Sequence, residues 1–206
     1  YKNVDNILTQ VGDYLADLCG EENTYRTEAH VYSVILTGDE IETEYKISVL
    51  QARFEQKWRV DNMDLLLYAN LVMAKAFDHF ETVSEMSALL EYMMEQAKSR
   101  GSNSLVVADE DIRADFVRLN KVERAIERAV QNNSLEVHFQ PIYSVKEKRL
   151  VAAEALARMT DEELGNVPPL EFIPVAEKNG TIIELGKQIF EKCCRFIVEE
   201  LVPHTE

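Results

Sequence analysis

Apolar residues recur at three- and four-residue steps in four stretches of the chain. Val4, Ile7, Leu8, Val11, Leu15 and Leu18 predict an amphipathic helix ended by Gly20. Gly38-Asp39 opens a second helix reaching about Trp58, and Met86, Leu89, Leu90, Met93, Met94 and Ala97 mark a third, stopped by Gly101. Thr82-Val83-Ser84-Glu85 reads as its capping box, since hydroxyl and carboxylate each satisfy an orphan amide. Ile112, Phe116, Leu119, Val122, Ile126 and Val130 then form a stripe with charged residues on the other faces, predicting one stiff helix from Asp109 to Asn133.

Between the helices lie strand signals. Tyr25 to Leu36 reads as a hairpin turning near Thr27 to Ala29, with the β-rich run Val31-Tyr32-Ser33-Val34-Ile35-Leu36 as its second arm. Met63 to Ala74, rich in Leu and Val and free of Gly and Pro, reads as a buried central strand, and Ser104 to Ala108 as a last one. The order helix, strand, strand, helix, strand, helix, strand suits an α+β ferredoxin-like sheet lacking its first strand upstream.

After Leu135 two strand-like segments face each other across a hairpin-sized gap. In the second, Leu150, Ala152, Glu154, Leu156 and Arg158 share one face by the two-residue period of strands. A carboxylate among small apolar neighbours calls for a cation or donor, so Glu154 is a candidate metal ligand; an edge ion pair with Arg158 is the plainer alternative. Pro168-Pro169 introduces a helix from Leu170 to Lys178, ended by Asn179-Gly180. Thr181-Ile182-Ile183-Glu184 reads as a second capping box, opening a helix that buries Ile182, Leu185, Ile189, Phe190, Cys193, Phe196, Ile197 and Leu201.

Composition narrows the class. The 206 residues are 46% hydrophobic and 29% charged, as in a globular protein, and the formal net charge of −15 disfavours nucleic acid or an anionic membrane as partner. Three cysteines, with Cys193 and Cys194 adjacent, fit neither a zinc site nor a disulfide framework, so a reducing cytoplasm is expected. The apolar run around Leu65 to Ala69 is far short of a bilayer span, and the opening residue, Tyr1, suggests a piece of a longer protein.

Three word-like motifs sharpen the reading: Phe139-Gln140-Pro141-Ile142, then Glu154-Ala155-Leu156 with Arg158, then Phe172-Ile173-Pro174-Val175-Ala176-Glu177-Lys178-Asn179-Gly180. Together they resemble the opening of an EAL domain, a family that hydrolyses cyclic dimeric GMP (c-di-GMP). The resemblance implies a TIM-like barrel and the product linear pGpG, with Mg2+ or Mn2+ as cofactor. It also implies that Glu154 is a metal ligand and that Gln140 and Arg158 contact the dinucleotide. A barrel of this type takes roughly 250 residues, so residues 134–206 would supply only its first strands and helices, and the family's remaining ligands would lie on later strands. One glutamate cannot clamp two cations about 4 Å apart. This chain alone is therefore expected not to be an enzyme, whereas the completed protein would be a c-di-GMP phosphodiesterase. An unfinished barrel leaves an open sheet edge, for which the first module or a second copy in a homodimer are candidate partners.

The layout of residues 1–108, with Arg26 before Glu28-Ala29-His30-Val31-Tyr32, resembles a GGDEF (diguanylate cyclase) domain, and the helix over 109–133 resembles the linker of GGDEF-EAL tandem proteins. In that family the hairpin carries Gly-Gly-Asp-Glu-Phe: the glycines admit a guanine nucleotide and the acids hold metal. Here Glu28 and Ala29 stand for the glycines, His30 for the Asp and Val31 for the Glu, while Tyr32 keeps the aromatic character. Cys19-Gly20-Glu21-Glu22 offers no arginine for the family's inhibitory Arg-x-x-Asp site. No diguanylate cyclase activity is expected, and His30 reads as an exposed turn residue more readily than as a metal ligand or pH switch. The chain as a whole reads as a c-di-GMP signalling protein with a non-catalytic regulatory first domain; the alternatives are a catalytically inactive interaction module and a GTP-sensing module.

Overall fold

The computed structural model describes residues 2–60, 62–75 and 82–204, and it divides at Ala108/Asp109 into two compact units. In the first unit, α1 (Lys2–Cys19) is followed by the hairpin β1 (Thr24–Glu28) and β2 (Val31–Val34), then α2 (Glu40–Phe54). Gly20, at φ 100°, lets the chain leave α1 in a conformation that L side chains rarely adopt. The Asp39 carboxylate accepts from the Glu42 amide at 2.8 Å and caps α2.

Two expectations for this unit need correction. The helix predicted to reach Trp58 stops at Phe54, and Lys57–Val60 form β3, in which Trp58 and Val60 are buried while Lys57 and Arg59 are exposed. That two-residue alternation overrides the helical period because it turns the indole into the core formed by Ile7, Val11, Leu15 and Phe54. The single strand predicted over Met63 to Ala74 is instead two. β4 (Met63–Leu66) pairs antiparallel with β3, whereas β5 (Leu71–Met73) runs parallel to β6 (Leu105–Val107). The break comes from side chains that take over backbone bonding: Asn103 Oδ1 accepts from the Ala69 amide at 2.8 Å and Asn70 Oδ1 from the Ser104 amide at 3.2 Å. The described strands of this unit pair two by two rather than in the single sheet expected.

α3 (Val83–Arg100) begins as its motif predicts, with Thr82 Oγ1 accepting from the Glu85 amide at 3.2 Å. It buries Leu89, Met93 and Ala97 and leaves Met86, Leu90 and Met94 half-buried. Arg53 lies 3.6 Å from the Trp58 ring centroid, a cation–π contact that covers the indole's outer face.

The second unit opens with α4 (Glu110–Asn132), capped by Asp109 and ended by Asn133 at φ 50°. Its stripe is buried within this unit: Val122, Ala125, Ile126 and Ala129 pack with Leu135, Met159, Val167, Phe172, Val175, Ala176 and Leu185. β7 (Glu136–Ser144), β8 (Arg149–Asp161) and β9 (Gly165–Val167) form one antiparallel sheet, followed by α5 (Pro169–Asn179) and α6 (Ile182–Phe196). The four residues between β7 and β8 are too few for the crossover that parallel strands need. β7 and β8 are accordingly antiparallel, and the parallel strand–helix repeat that the resemblance implies does not occur among the described residues of this unit. β9 was not foreseen; it exists because the Asp161 Oδ1 accepts from the Glu163 and Leu164 amides and folds the chain back in a tight turn.

Three further expectations for this unit fail. Thr181 holds the N-cap position of α6, but its side chain makes no capping bond: it has helical φ/ψ, and its hydroxyl donates to Asn179 Oδ1 at 2.6 Å. Phe190, predicted buried, is 70% exposed, and Ile197 and Leu201 are exposed as well. The helical period remains intact, but Leu185 and Gln188 define the buried face of α6, and Phe190 lies off it. After Phe196 the helix widens into a π turn over Ile197–Leu201, which further displaces the last apolar residues.

Polar contacts tie α4 to its neighbours. Arg128 Nε and Nη2 donate to the buried Asp161 Oδ2 at 3.0 and 2.7 Å, and Arg118 holds Glu171 bidentately at 2.6 and 3.0 Å. Burial alone would raise the Asp161 carboxyl, but the Arg128 guanidinium and the two turn amides outweigh it and hold the group below its ordinary value. The Arg118 hydrogen bonds lower Glu171 against a smaller opposing effect of burial. At the other end, Gln188 Nε2 donates to Val130 O at 2.7 Å, and Lys192 Nζ donates to Asn133 O at 2.8 Å and to Leu135 O. These donors satisfy carbonyls at the C-terminus of α4, where a cation is also favoured by the helix dipole. No helix among the described residues is long and apolar enough to cross a membrane.

Replacing Asp161 with Asn should lower stability by about 2 kcal/mol at neutral pH, the cost of breaking a buried charge-assisted pair and loosening the β8–β9 turn. Because the folded carboxyl is depressed, its contribution is complete above the unfolded value of about 3.9 and disappears as pH falls through the lower folded value. Urea unfolding should therefore separate the two proteins at pH 7 and bring their midpoints together near pH 2. Phe172→Ala, which empties a fully buried position, should cost about 3–5 kcal/mol by the same measurement.

Candidate functional site

The β7–β8 ladder brings the candidate residues together. Its register sets Gln140 directly opposite Glu154, His138 opposite Leu156 and Glu136 opposite Arg158. Directly paired residues project to the same side of a sheet, so Glu136, His138, Gln140, Glu154, Leu156 and Arg158 form one face. The other face carries Met159 into the core with α4, α5 and α6, and Phe139, which stacks on Phe196 with ring centroids 4.1 Å apart. The helices thus cover the reverse side around Val137, Phe139, Ala157 and Met159, while Pro141, Ala153 and Ala155 on that side are exposed, and they leave the polar face uncovered.

Gln140 and Glu154 are exposed, while Arg158 is half-buried and its Nη1 donates to Ala157 O at 2.9 Å. Among the described residues Glu154 has no ion pair, so the edge pair with Arg158 is not formed. The reason is distance: four residues along a strand separate their Cα atoms by about 13 Å. A bulge between Ile142 and Tyr143 resets the alternation, pairing Ile142 with Ala152 but Tyr143 with Leu150, so Leu150 leaves the face on which the sequence period placed it. Glu136 engages His138 instead of Arg158, with Oε2 3.3 Å from Nε2.

As a metal site the face is incomplete. Glu154 can offer carboxylate oxygens, but no group of three or more His, Cys, Asp or Glu side chains suited to a metal ion occurs among the described residues. The residues present therefore do not by themselves fit the several-oxygen shell that a divalent cation requires.

In the first unit the hairpin from Thr24 to Val34 turns at Ala29-His30, slightly later than predicted, and Glu28, Ala29, His30 and Val31 are all exposed. Arg26 Nη2 donates to Ala29 O at 2.7 Å and clasps the turn. Tyr32 turns inward: its hydroxyl donates to Leu8 O at 2.5 Å, and a Cβ added at Gly12 would sit 3.2 Å from its ring. Burial pushes the Tyr32 phenol up, with a smaller lowering by Arg26 and a raising by Asp13. Tyr32 thus serves as an anchor of the hairpin on α1, a role its match to an aromatic motif position did not reveal. Cys19, Cys193 and Cys194 are free thiols, the first two half-buried.

An exposed carboxylate without a partner contributes little to folding. Glu154→Ala should leave the thermal midpoint almost unchanged, within about 0.5 kcal/mol of stability, whereas a structural role would lower it clearly.

Comparison with known proteins finds relatives that match between 39 and 72% of the chain. Over 148 residues the chain is 30% identical to the uncharacterized protein y4lL of Sinorhizobium fredii, covering 72% of this chain and 17% of that protein. It is 40% identical over 81 residues to the signaling protein YkoW of Bacillus subtilis, covering 39% and 10%. Over 146 residues it is 23% identical to the bifunctional diguanylate cyclase/cyclic di-GMP phosphodiesterase MucR of Pseudomonas aeruginosa, covering 71% and 21%. The chain thus spans between 10 and 21% of the length of these curated relatives. Residues 123–204, which contain the whole polar face, match the EAL domain family model.

Proposed function

We propose that residues 134–206 form the first part of an EAL phosphodiesterase domain that acts on c-di-GMP, that residues 109–133 are its leading linker helix, and that residues 1–108 are a degenerate, non-catalytic GGDEF-like domain that regulates it. The observation that carries this reading is the register pairing of Gln140 with Glu154, with Arg158 further along the same uncovered face and all three inside the EAL match. In this reading Gln140 and Arg158 hold the dinucleotide, Gln140 through its amide and Arg158 through charge-assisted hydrogen bonds to phosphate oxygen. Glu154 contributes one ligand to a divalent cation, Mg2+ or Mn2+, which supplies a Lewis acid when bound. The other ligands belong to a longer polypeptide, so hydrolysis is the activity of the whole protein. The relatives' greater length supports that assignment.

For the first unit, a hairpin with Ala29 in a glycine position and Val31 in an acid position supports regulation without cyclase chemistry, since valine cannot ligate a cation. Calorimetry with GTP and Mg2+ should show no binding heat. The incomplete metal shell favours a second reading, in which both units serve as interaction surfaces without catalysis.

The test is c-di-GMP turnover by the protein as its source cell makes it, with its intact mass measured alongside. The expected result is a mass well above 23.6 kDa, conversion of c-di-GMP to pGpG in the presence of Mg2+ or Mn2+, and loss of that activity in Glu154→Ala. Arg158→Ala should raise KM about tenfold or more, the loss expected for a charge-assisted contact. A protein that neither binds nor hydrolyses c-di-GMP would transfer the assignment to the interaction reading.

A further inference from the structure

The polar face also shows what must lie between its two ends. Glu154 and Arg158 are about 13 Å apart along β8, with Leu156 midway, and His138 is the cross-strand partner of Leu156. A ligand that touches Glu154 and Arg158 together therefore crosses Leu156 and His138. Within the face Glu136 and Glu154 are anionic, Gln140 and Leu156 are neutral, and Arg158 and His138 are the side chains that can carry positive charge. An anionic diester laid over this strip meets repulsion from both carboxylates unless cationic groups face it. The His138 side chain is 60% exposed, and its Nε2 lies 3.3 Å from Glu136 Oε2, so that contact engages one ring nitrogen and leaves Nδ1 without a partner among the described residues.

We propose that His138 is a ligand-contacting residue of this face, donating a hydrogen bond to the phosphodiester of a bound cyclic dinucleotide at a point midway between Glu154 and Arg158, with Glu136 as its positioning partner. The proposal rests on the reading that the Gln140–Glu154–Arg158 face binds c-di-GMP. It assigns a role to a residue that lies in none of the three sequence motifs and that the register sets opposite Leu156, between Glu154 and Arg158.

The test is equilibrium dialysis of labelled c-di-GMP against the protein as its source cell makes it, in chelator-containing buffer so that no metal-dependent turnover occurs. Three variants are compared with the unaltered protein: His138→Phe keeps a ring without donors, His138→Gln keeps a neutral donor, and Gln140→Ala reports on the face itself. The expected result is a Kd raised about tenfold in His138→Phe, the loss of one charge-assisted bond, with a smaller rise in His138→Gln and an unchanged thermal midpoint in both. Unaltered affinity in His138→Phe, with weakened binding in Gln140→Ala, would overturn the role of His138 and leave the functional reading standing. No binding by the unaltered protein, either in chelator or with added Mg2+ or Mn2+, would overturn both. Should His138→Phe unfold, the same decision falls to His138→Gln, whose wild-type Kd would equally overturn the proposal.

Discussion

The register of the β7–β8 ladder is the constraint on which the candidate site depends. Strand side chains alternate with a period of two, so a slip of one residue would turn Glu154, Gln140 and Arg158 toward the helices and put Phe139 and Met159 in water. The apolar side of the ladder prevents the slip. Met159 is fully buried against α4 and α5, and Phe139 is stacked on Phe196. The polar face is therefore held in place by residues that take no part in it, and the short connection between the strands fixes their antiparallel sense.

Behind that ladder the helices are locked by polar contacts at both ends of α4. Asp161 joins two functions in one carboxylate: one oxygen accepts from Arg128, the other from the two amides that shape the β8–β9 turn. Removing either partner leaves a buried carboxylate or a set of unpaired amides, so the pair matters both to stability and to the shape of the turn. Lys192 and Gln188 do the corresponding work for the carbonyls at the C-terminus of α4. The result is a packed backing, built from α4, α5 and α6, behind the Arg158 end of the face.

The first unit follows a different logic. Its hairpin tip, Glu28 to Val31, is exposed, while the next residue, Tyr32, is pinned against α1 by a hydrogen bond and by the space that Gly12 leaves. Trp58 plays the central part in the core, enclosed by Tyr14, Phe54 and the Arg53 guanidinium. Packing of this kind uses Tyr14, Tyr32, Phe54 and Trp58 for structure and leaves the hairpin tip outside the core.

Much of this was legible in the chain itself. The apolar stripes of α1, α3 and α4, the caps at Asp39, Thr82 and Asp109 and the stop signals at Gly20, Gly101 and Gly180 are local properties, set by side chains within one helical turn of the backbone they satisfy. The motif words around Gln140, Glu154 and Arg158 were equally plain. What the sequence did not determine was everything that depends on a partner distant along the chain. Trp58 joins a strand because of the core waiting for it, the run from Met63 breaks because Asn103 replaces a backbone partner, and Phe190 is exposed because other residues of α6 meet α4. His138 reaches the site for the same reason: only pairing with β8 shows that it stands beside Leu156, between the two charged ends of the face. Local propensity chooses the elements, but which side of each one is buried, and which residues share a surface, is decided by the packing of elements against one another.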